Sequence, residues 1–319
     1  MSNIYVLCPG NVVTGGPELL HQLVDTLNCN GKNASIVYYP FDSTFEVPDS
    51  YKHYNVNCQV FKEINFDEHA VIIPEIITGF KRYFPRSQVY IWWMSVDNYF
   101  KHFPKGLSGL KNKLLNYKKS PIKPDKLHDC THLAQSEYAR IFLSSYGLKT
   151  LMLSDYLNQE HLERDVDLSK KQNIVCYNPQ KGVEVTKKLI EIFKQCKFVP
   201  IQNMTAKEVA ELLERAKIYI DFGDHPGKDR IPREAAMAKC IVITGRRGSA
   251  NNLIDIAVPE MYKIDEDSVD FIEAIDKVFK SVFDDFESSL LDFELYRDKI
   301  KNEKLVFQKE ALEFSESVK

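Results

Sequence analysis

The chain has 319 residues, 44% of them apolar and 27% charged, with 42 basic side chains against 45 acidic ones. Its length exceeds what one core usually serves, so two domains of roughly 150 residues are expected, and the composition excludes a disordered chain. A net charge of -3 excludes a general attraction for nucleic acid or anionic lipid, and no apolar run approaches the roughly 20 residues of a membrane-spanning helix.

The start, MSNIYVLCPG, lacks the basic and long apolar stretches of a secretory signal, which predicts a cytoplasmic protein. Residues 4–8 are a short apolar run closed by Pro9 and Gly10. After Gly15 and Gly16, ELLHQLVDTL carries apolar residues at helical spacing, so strand, glycine loop and helix are predicted in that order. Apolar runs over 35–39, 70–74 and 88–94 predict strands covered on both faces. A further strand and helix follow over 131–135 and 138–146, then a strand over 150–153. The polar stretch NQEHLERDVDLSKKQ, residues 158–172, predicts a linker between domains 1–157 and 173–319. Beyond it, strands are predicted over 173–177, 197–201, 218–222 and 241–244, with helices over 184–195, over 206–216 and from Pro232. Charged helical segments over 269–318 either cap the second domain or fold back across the first. The expected class is α/β, two doubly wound Rossmann-like domains facing a cleft, with ligands in the loops that follow strands.

The seven cysteines (Cys8, Cys29, Cys58, Cys130, Cys176, Cys196, Cys240) are scattered and never form a CxxC pair, so they read as reduced, mostly buried thiols. His128, Cys130 and His132 alternate into an apolar segment and are read as structural. Asp165/Asp167 and Asp265/Asp267 spell DxD but lie in polar connections, so no metal is expected. Between 101 and 126 eight lysines stand against Asp125 alone. With Leu107, Leu110, Leu114 and Leu115 they predict a basic amphipathic helix, either packed by its leucines or lying on a membrane surface.

The segment IYIDFGDHPGKDRIPREAAMAKCIVITG, residues 218–245, is the most informative. It places Gly223, Gly227, Lys228 and Arg230 after a strand, then Pro232, Arg233 and Glu234 at the start of a small-residue helix. Free N–H groups, the helix dipole and guanidinium groups make such a helix start an anion site; the alternative is a solvated basic loop. YNPQKGVEVTKKLIEIF, residues 177–193, has the same strand–loop–helix order, with Asn178, Lys181 and Gly182 in its loop. In TGGPELLHQL, residues 14–23, Gly15 and Gly16 let backbone approach a phosphate or sugar. There is no GxGxxG, and Tyr38, Tyr39 and Pro40 stand where a dinucleotide site wants an acid, which argues against a dehydrogenase. GRRGSANN, residues 245–252, reads as an anion nest with Arg246 and Ser249, or as an exposed turn. In WWMSVDNYF, residues 92–100, Trp92, Asp97 and Tyr99 line a sugar pocket or, for the rings, belong to the core; Asp97 is the candidate general base.

Pro232, Glu234, Ala235, Ala236, Met237 and Ala238, then Cys240 and the strand IVIT, resemble the EAMA-motif helix of the group-1, glycogen-synthase-like bacterial glycosyltransferases of GT-B fold. The similarity is strong over 174–250 and thin before it. The resemblance implies that Glu234 binds the ribose of a donor nucleotide, that Lys181 touches its diphosphate, and that the loop of Gly15 and Gly16 faces the donor. The family has another glutamate eight positions before Glu234, where this chain has Pro226, preceded by Asp224 and His225. Its usual Gly-Arg before the 177–182 loop is absent too, which shifts phosphate binding towards Arg230, Lys228 or Arg246. What the resemblance implies is a metal-independent transferase with no cofactor beyond its substrate. It would move sugar from a nucleoside diphosphate, UDP or GDP, to a saccharide acceptor in surface polysaccharide synthesis, with Arg230 and Lys181 stabilising the leaving diphosphate. A cytoplasmic site at the inner face of the membrane through residues 101–126, and no nucleic-acid partner, go with that reading. The rivals are a catalytically silent GT-B subunit that binds glycan or a partner protein, and a nucleotide-sugar epimerase.

Overall fold

A computed structural model of the chain describes residues 2–103 and 120–318. It divides into two compact units, Met1–Asp155 with Leu305–Lys319, and Tyr156–Lys304. Most of the predicted basic helix of 101–126 lies outside the described residues. Among the described residues no helix is long and apolar enough to cross a membrane.

Unit 1 is built on a seven-stranded sheet in the order β3-β2-β1-β4-β5-β6-β7, every pair parallel. The strands are β1 (Ile4–Pro9), β2 (Ala34–Tyr39), β3 (Asn57–Cys58), β4 (Ala70–Pro74), β5 (Gln88–Trp93), β6 (Thr131–Ala134) and β7 (Thr150–Met152). Helices α1 (Gly15–Cys29), α2 (Val96–Lys101) and α3 (Glu137–Ser145) follow β1, β5 and β6. The central strands are apolar throughout because both of their faces are covered: Val6, Leu7, Ile72, Ile73, Ile91 and Trp92 are all fully buried. β3 escapes sequence reading because it is two exposed residues on an edge, too short to show any period.

Trp92 and Tyr99 do not line a sugar pocket. Trp92 is fully buried and donates from Nε1 to the Leu153 carbonyl at 2.9 Å. Tyr99 is equally buried, stacked edge-on against Trp93 and Phe103, and its hydroxyl donates to the Ile122 carbonyl at 2.7 Å. Rings this large exclude water most completely inside a core, and each polar atom has found a partner there. His132 is structural as expected, its Nδ1 accepting from Trp93 Nε1 at 2.8 Å.

Unit 2 carries a four-stranded parallel sheet in the order β11-β10-β8-β9. In chain order it runs α4 (Gln159–Leu162), β8 (Gln172–Tyr177), α5 (Val183–Ile192), β9 (Lys197–Pro200), α6 (Ala206–Arg215), β10 (Ala216–Asp221), α7 (Arg230–Met237), β11 (Ile241–Thr244), α8 (Phe271–Asp284) and α9 (Phe286–Leu291). A reciprocal cap starts α6: Thr205 Oγ1 accepts from the Glu208 N–H, and Glu208 Oε2 accepts from the Thr205 N–H. Ala235 and Ala236 are buried, so the short helix α7 lies close on its sheet.

The stretch 158–172 is not a free linker. Lys171 is buried and its Nζ donates to the carbonyls of Leu213, Ala216 and Ala238 at 2.9, 2.7 and 2.6 Å, satisfying acceptors at the ends of α6 and α7. Arg164 pairs with Glu214 at 3.1 Å. A polar sequence is here the mark of side chains bonded to unit 2, and the division falls at Asp155 instead. The last helix, α10 (Glu294–Ser317), belongs to unit 2 up to Lys304 and to unit 1 beyond it. In unit 1, Glu310 accepts from the Ser154 N–H at 2.7 Å, and Phe314 packs edge-on against Tyr90.

Candidate functional site

In unit 2 the winding reverses between β8 and β10, because β9 lies outside β8 and β11 outside β10. Open parallel sheets bind ligands beyond the carboxyl ends of the strands at such a point. Two loops meet there, residues 178–182 after β8 and residues 222–229 after β10. Their approach is so close that a Cβ on Gly182, whose φ is +56°, would lie 2.4 Å from the carbonyl carbon of Phe222. Helices α5 and α7 begin immediately beyond these loops, with Gly182 and Asp229 at their caps.

The predicted donor residues divide into two groups. Lys181 and Arg230 stand at the loops, each half-buried: Lys181 Nζ lies 2.5 Å from Asp229 Oδ2, and Arg230 Nε 3.7 Å from Glu234 Oε1. Glu234 is partly exposed in the first turns of α7, with His161 Nε2 at 3.8 Å. Asn178 uses its side chain to shape the loop, accepting from the Gln180 N–H at 2.9 Å.

Lys228 and Arg233 are committed inward. Glu303 on α10 takes Lys228 Nζ on one oxygen and Arg233 Nη1 on the other, both at 2.7 Å. Arg233 is fully buried, so it holds α7 to α10 and does not face a ligand. Ser249 is also buried, its hydroxyl donating to the Gly227 carbonyl at 2.6 Å and its N–H to the His225 carbonyl at 2.8 Å. The 245–252 turn is therefore no open anion nest: a backbone carbonyl fills it, and Gly248, at φ +58°, passes so close that a Cβ there would lie 2.1 Å from the His225 oxygen. Arg246 pairs with Glu260 at 2.5 Å, further along the same connection.

Sequence reading missed the residues beneath the loops. His225 is fully buried, with Nδ1 2.6 Å from Asp229 Oδ2 and Nε2 3.6 Å from Asp221 Oδ1. Asp221 also accepts from the Tyr219 hydroxyl at 2.9 Å and the Gly223 N–H at 3.1 Å. Burial opposes a charged ring here, but the close pairing with Asp229 and the fields of both carboxylates outweigh it and raise the His225 pKa above its ordinary value. Burial likewise opposes ionised Asp229, yet His225 and Lys181 hold its carboxyl below the usual range. Ligand atoms of Asp221, His225 and Asp229 lie within 4.8 Å of one another. The two carboxylates nevertheless face different nitrogens of one ring, the geometry of a charge relay; a single metal ion would draw both to the same nitrogen. The only local signal was the even spacing 221, 225, 229. The DxD pairs serve as turns: Asp167 accepts from the Ser169 N–H and Asp265 from the Asp267 N–H, each at 3.0 Å.

In unit 1 the corresponding reversal lies between β1 and β4. Gly15 and Gly16 open α1 there, where first-turn N–H groups lack helical acceptors, and a Cβ on Gly16 would meet nothing within 4 Å. Asp97, in the first turn of α2, accepts from the Tyr138 hydroxyl at 3.0 Å. Glu75, directly after β4, went unnoticed in the sequence. It is buried and accepts from the Met94 N–H at 3.2 Å, and burial pushes its carboxyl up to about 8.

No family model matches the chain, and no curated protein does by sequence. Solved structures do. A glycosyltransferase from Rickettsia africae ESF-5 is 14% identical with a TM-score of 0.63, over 99% of this chain and 98% of that one. The fold is GT-B. Anabaena HepE in complex with UDP-glucose is 11% identical with a TM-score of 0.62, over 99% of this chain and 100% of that one. Sucrose-phosphate synthase from Thermosynechococcus elongatus is 11% identical with a TM-score of 0.64, over 99% and 98%. The GT-B architecture thus extends along nearly the whole chain, whereas membership of the EAMA-motif family is left to the motif alone.

Proposed function

We propose that unit 2 binds a nucleoside-diphosphate sugar where β8 and β10 diverge, and that the protein transfers that sugar to a saccharide acceptor. The observation that carries this reading is the convergence of Lys181, Arg230 and Glu234 on one strand-end locus beside two helix starts. Lys181 and Arg230 would hold the diphosphate and stabilise it as it leaves, and Glu234 would take the ribose hydroxyls. In the 218–245 segment the chemistry assigned is cationic, with no step that needs a metal. A uridine donor is the first to try, since the similar HepE structure holds UDP-glucose. The acceptor base falls to Asp97, and a role in surface polysaccharide assembly belongs to the same proposal.

A catalytically silent, glycan-binding subunit is the second reading. What favours it is that each cation expected from the sequence to hold the donor stands against a carboxylate: Lys181 on Asp229, Arg230 on Glu234, Lys228 and Arg233 on Glu303, Arg246 on Glu260. The test is calorimetry with UDP, GDP and ADP on wild type and Glu234→Ala, followed by donor turnover with product analysis. Binding lost in the variant together with turnover supports transfer. Binding without turnover favours the silent subunit, and the absence of any nucleotide binding refutes the donor site.

A further inference from the structure

The relay beneath the donor loops has a consequence of its own, which rests on the donor-site reading above. Three elements each present a charged group to His225: Asp221 ends β10, Asp229 stands at the N-cap position of α7, and Lys181 comes from the loop after β8. From the loop after β11 the Ser249 N–H donates to the His225 carbonyl at 2.8 Å, which holds the backbone that carries the ring. Asp229 Oδ2 is shared, lying 2.6 Å from His225 Nδ1 and 2.5 Å from Lys181 Nζ.

We propose that His225, held as an imidazolium between Asp221 and Asp229, is the positioning residue of the phosphate site: it fixes the Asp229 carboxylate and, through it, the Lys181 ammonium. With the ring charged, the four groups balance and Lys181 can turn a proton towards an incoming anion. With the ring neutral, the same set carries one net negative charge: the Nδ1–H tautomer still faces Asp229, but Nε2 then turns a lone pair towards Asp221. An anion such as a diphosphate then meets a retained cation and an added repulsion. Losing one close charge of this kind corresponds to about a tenfold change in affinity. Burial works against the charged ring, while Asp229 and Asp221 raise its pKa above the ordinary value.

The experiment is calorimetric titration of inorganic pyrophosphate and of UDP into wild type, His225→Asn and Lys181→Met between pH 6.5 and 9, with nitrogen NMR of the histidine rings in the free protein. The expected result is a charged His225 ring at pH 7. Pyrophosphate should bind wild type about tenfold more weakly once that ring deprotonates, and His225→Asn should be weak at the lower pH and flat thereafter. Lys181→Met should lose the His225-dependent part. A neutral ring at pH 6.5, or equal pH profiles in wild type and His225→Asn, would overturn the relay. So would stabilisation by Mn2+ or Zn2+ that His225→Asn abolishes, because a metal needs the neutral ring. Pyrophosphate binding with the expected profile but no nucleotide binding would keep the relay and remove the nucleotide reading. Nucleotide binding that His225→Asn leaves unchanged would do the reverse.

Discussion

Glu303 offers the sharpest test of how the loop after β10 is held. Its two oxygens take Lys228 Nζ and Arg233 Nη1, both at 2.7 Å, and Arg233 is completely enclosed. Glu303→Gln keeps the shape and one acceptor but removes the charge, leaving two cations facing an amide in a poorly solvated place. Breaking a buried pair in this way costs about 3–5 kcal/mol. For a unit of this size each kcal/mol lowers the melting point by about 2–4 °C, so the variant should melt roughly 6–20 °C below wild type. Chemical unfolding followed by circular dichroism, with calorimetry as a second probe, measures it. A companion carrying Glu303→Leu, Arg233→Met and Lys228→Met replaces the whole cluster with apolar groups and should recover much of the loss. A loss below about 1 kcal/mol for Glu303→Gln would show that solvent screens the cluster and refute the argument.

Two further predictions concern backbone and titration. Gly248→Ala puts a Cβ 2.1 Å from the His225 carbonyl oxygen at a φ of +58°, so it should cost at least about 2 kcal/mol, whereas Gly16→Ala, with nothing within 4 Å, should be neutral or slightly stabilising; unfolding midpoints of the two variants decide it. Glu75, pushed by burial up to about 8, binds its proton more tightly folded than unfolded. Its contribution is therefore complete below the ordinary carboxylate value near about 4.3 and is lost as pH rises through about 8. Glu75→Gln should flatten that decline, matching wild type at pH 4 and exceeding it at pH 9 in urea midpoints; unchanged slopes would mean the carboxyl ionises inside the fold.

The strands were legible because each is an apolar run that both faces of a parallel sheet demand, and the boundaries of β4 and β11 coincide with the sequence reading. β3 was not, since an exposed pair of edge residues carries no such constraint. The same limit applies to the site. Lys181, Arg230 and Glu234 could be placed from local order, because strand, glycine loop and helix start occur consecutively and dictate where free N–H groups point. Which of the neighbouring cations face outward could not. Arg233 and Lys228 look identical to Arg230 in one dimension, and it is Glu303, some seventy residues later on α10, that takes both of them inward. Trp92 and Tyr99 were ambiguous for the same reason, as an aromatic ring suits a sugar pocket or a core equally until its neighbours are known.

By itself the sequence determined two α/β sheets, the positions of the loops after β8 and β10, and the cationic character of those loops, all consequences of periodicity and local turn chemistry. Tertiary structure alone decided that polar residues 158–172 belong to unit 2, that the end of α10 belongs to unit 1, and that Asp221, His225 and Asp229 enclose one another. Those outcomes depend on pairing energies between groups distant in sequence or on opposite sides of a loop. Such energies appear only once burial has removed the water that would otherwise satisfy each group separately.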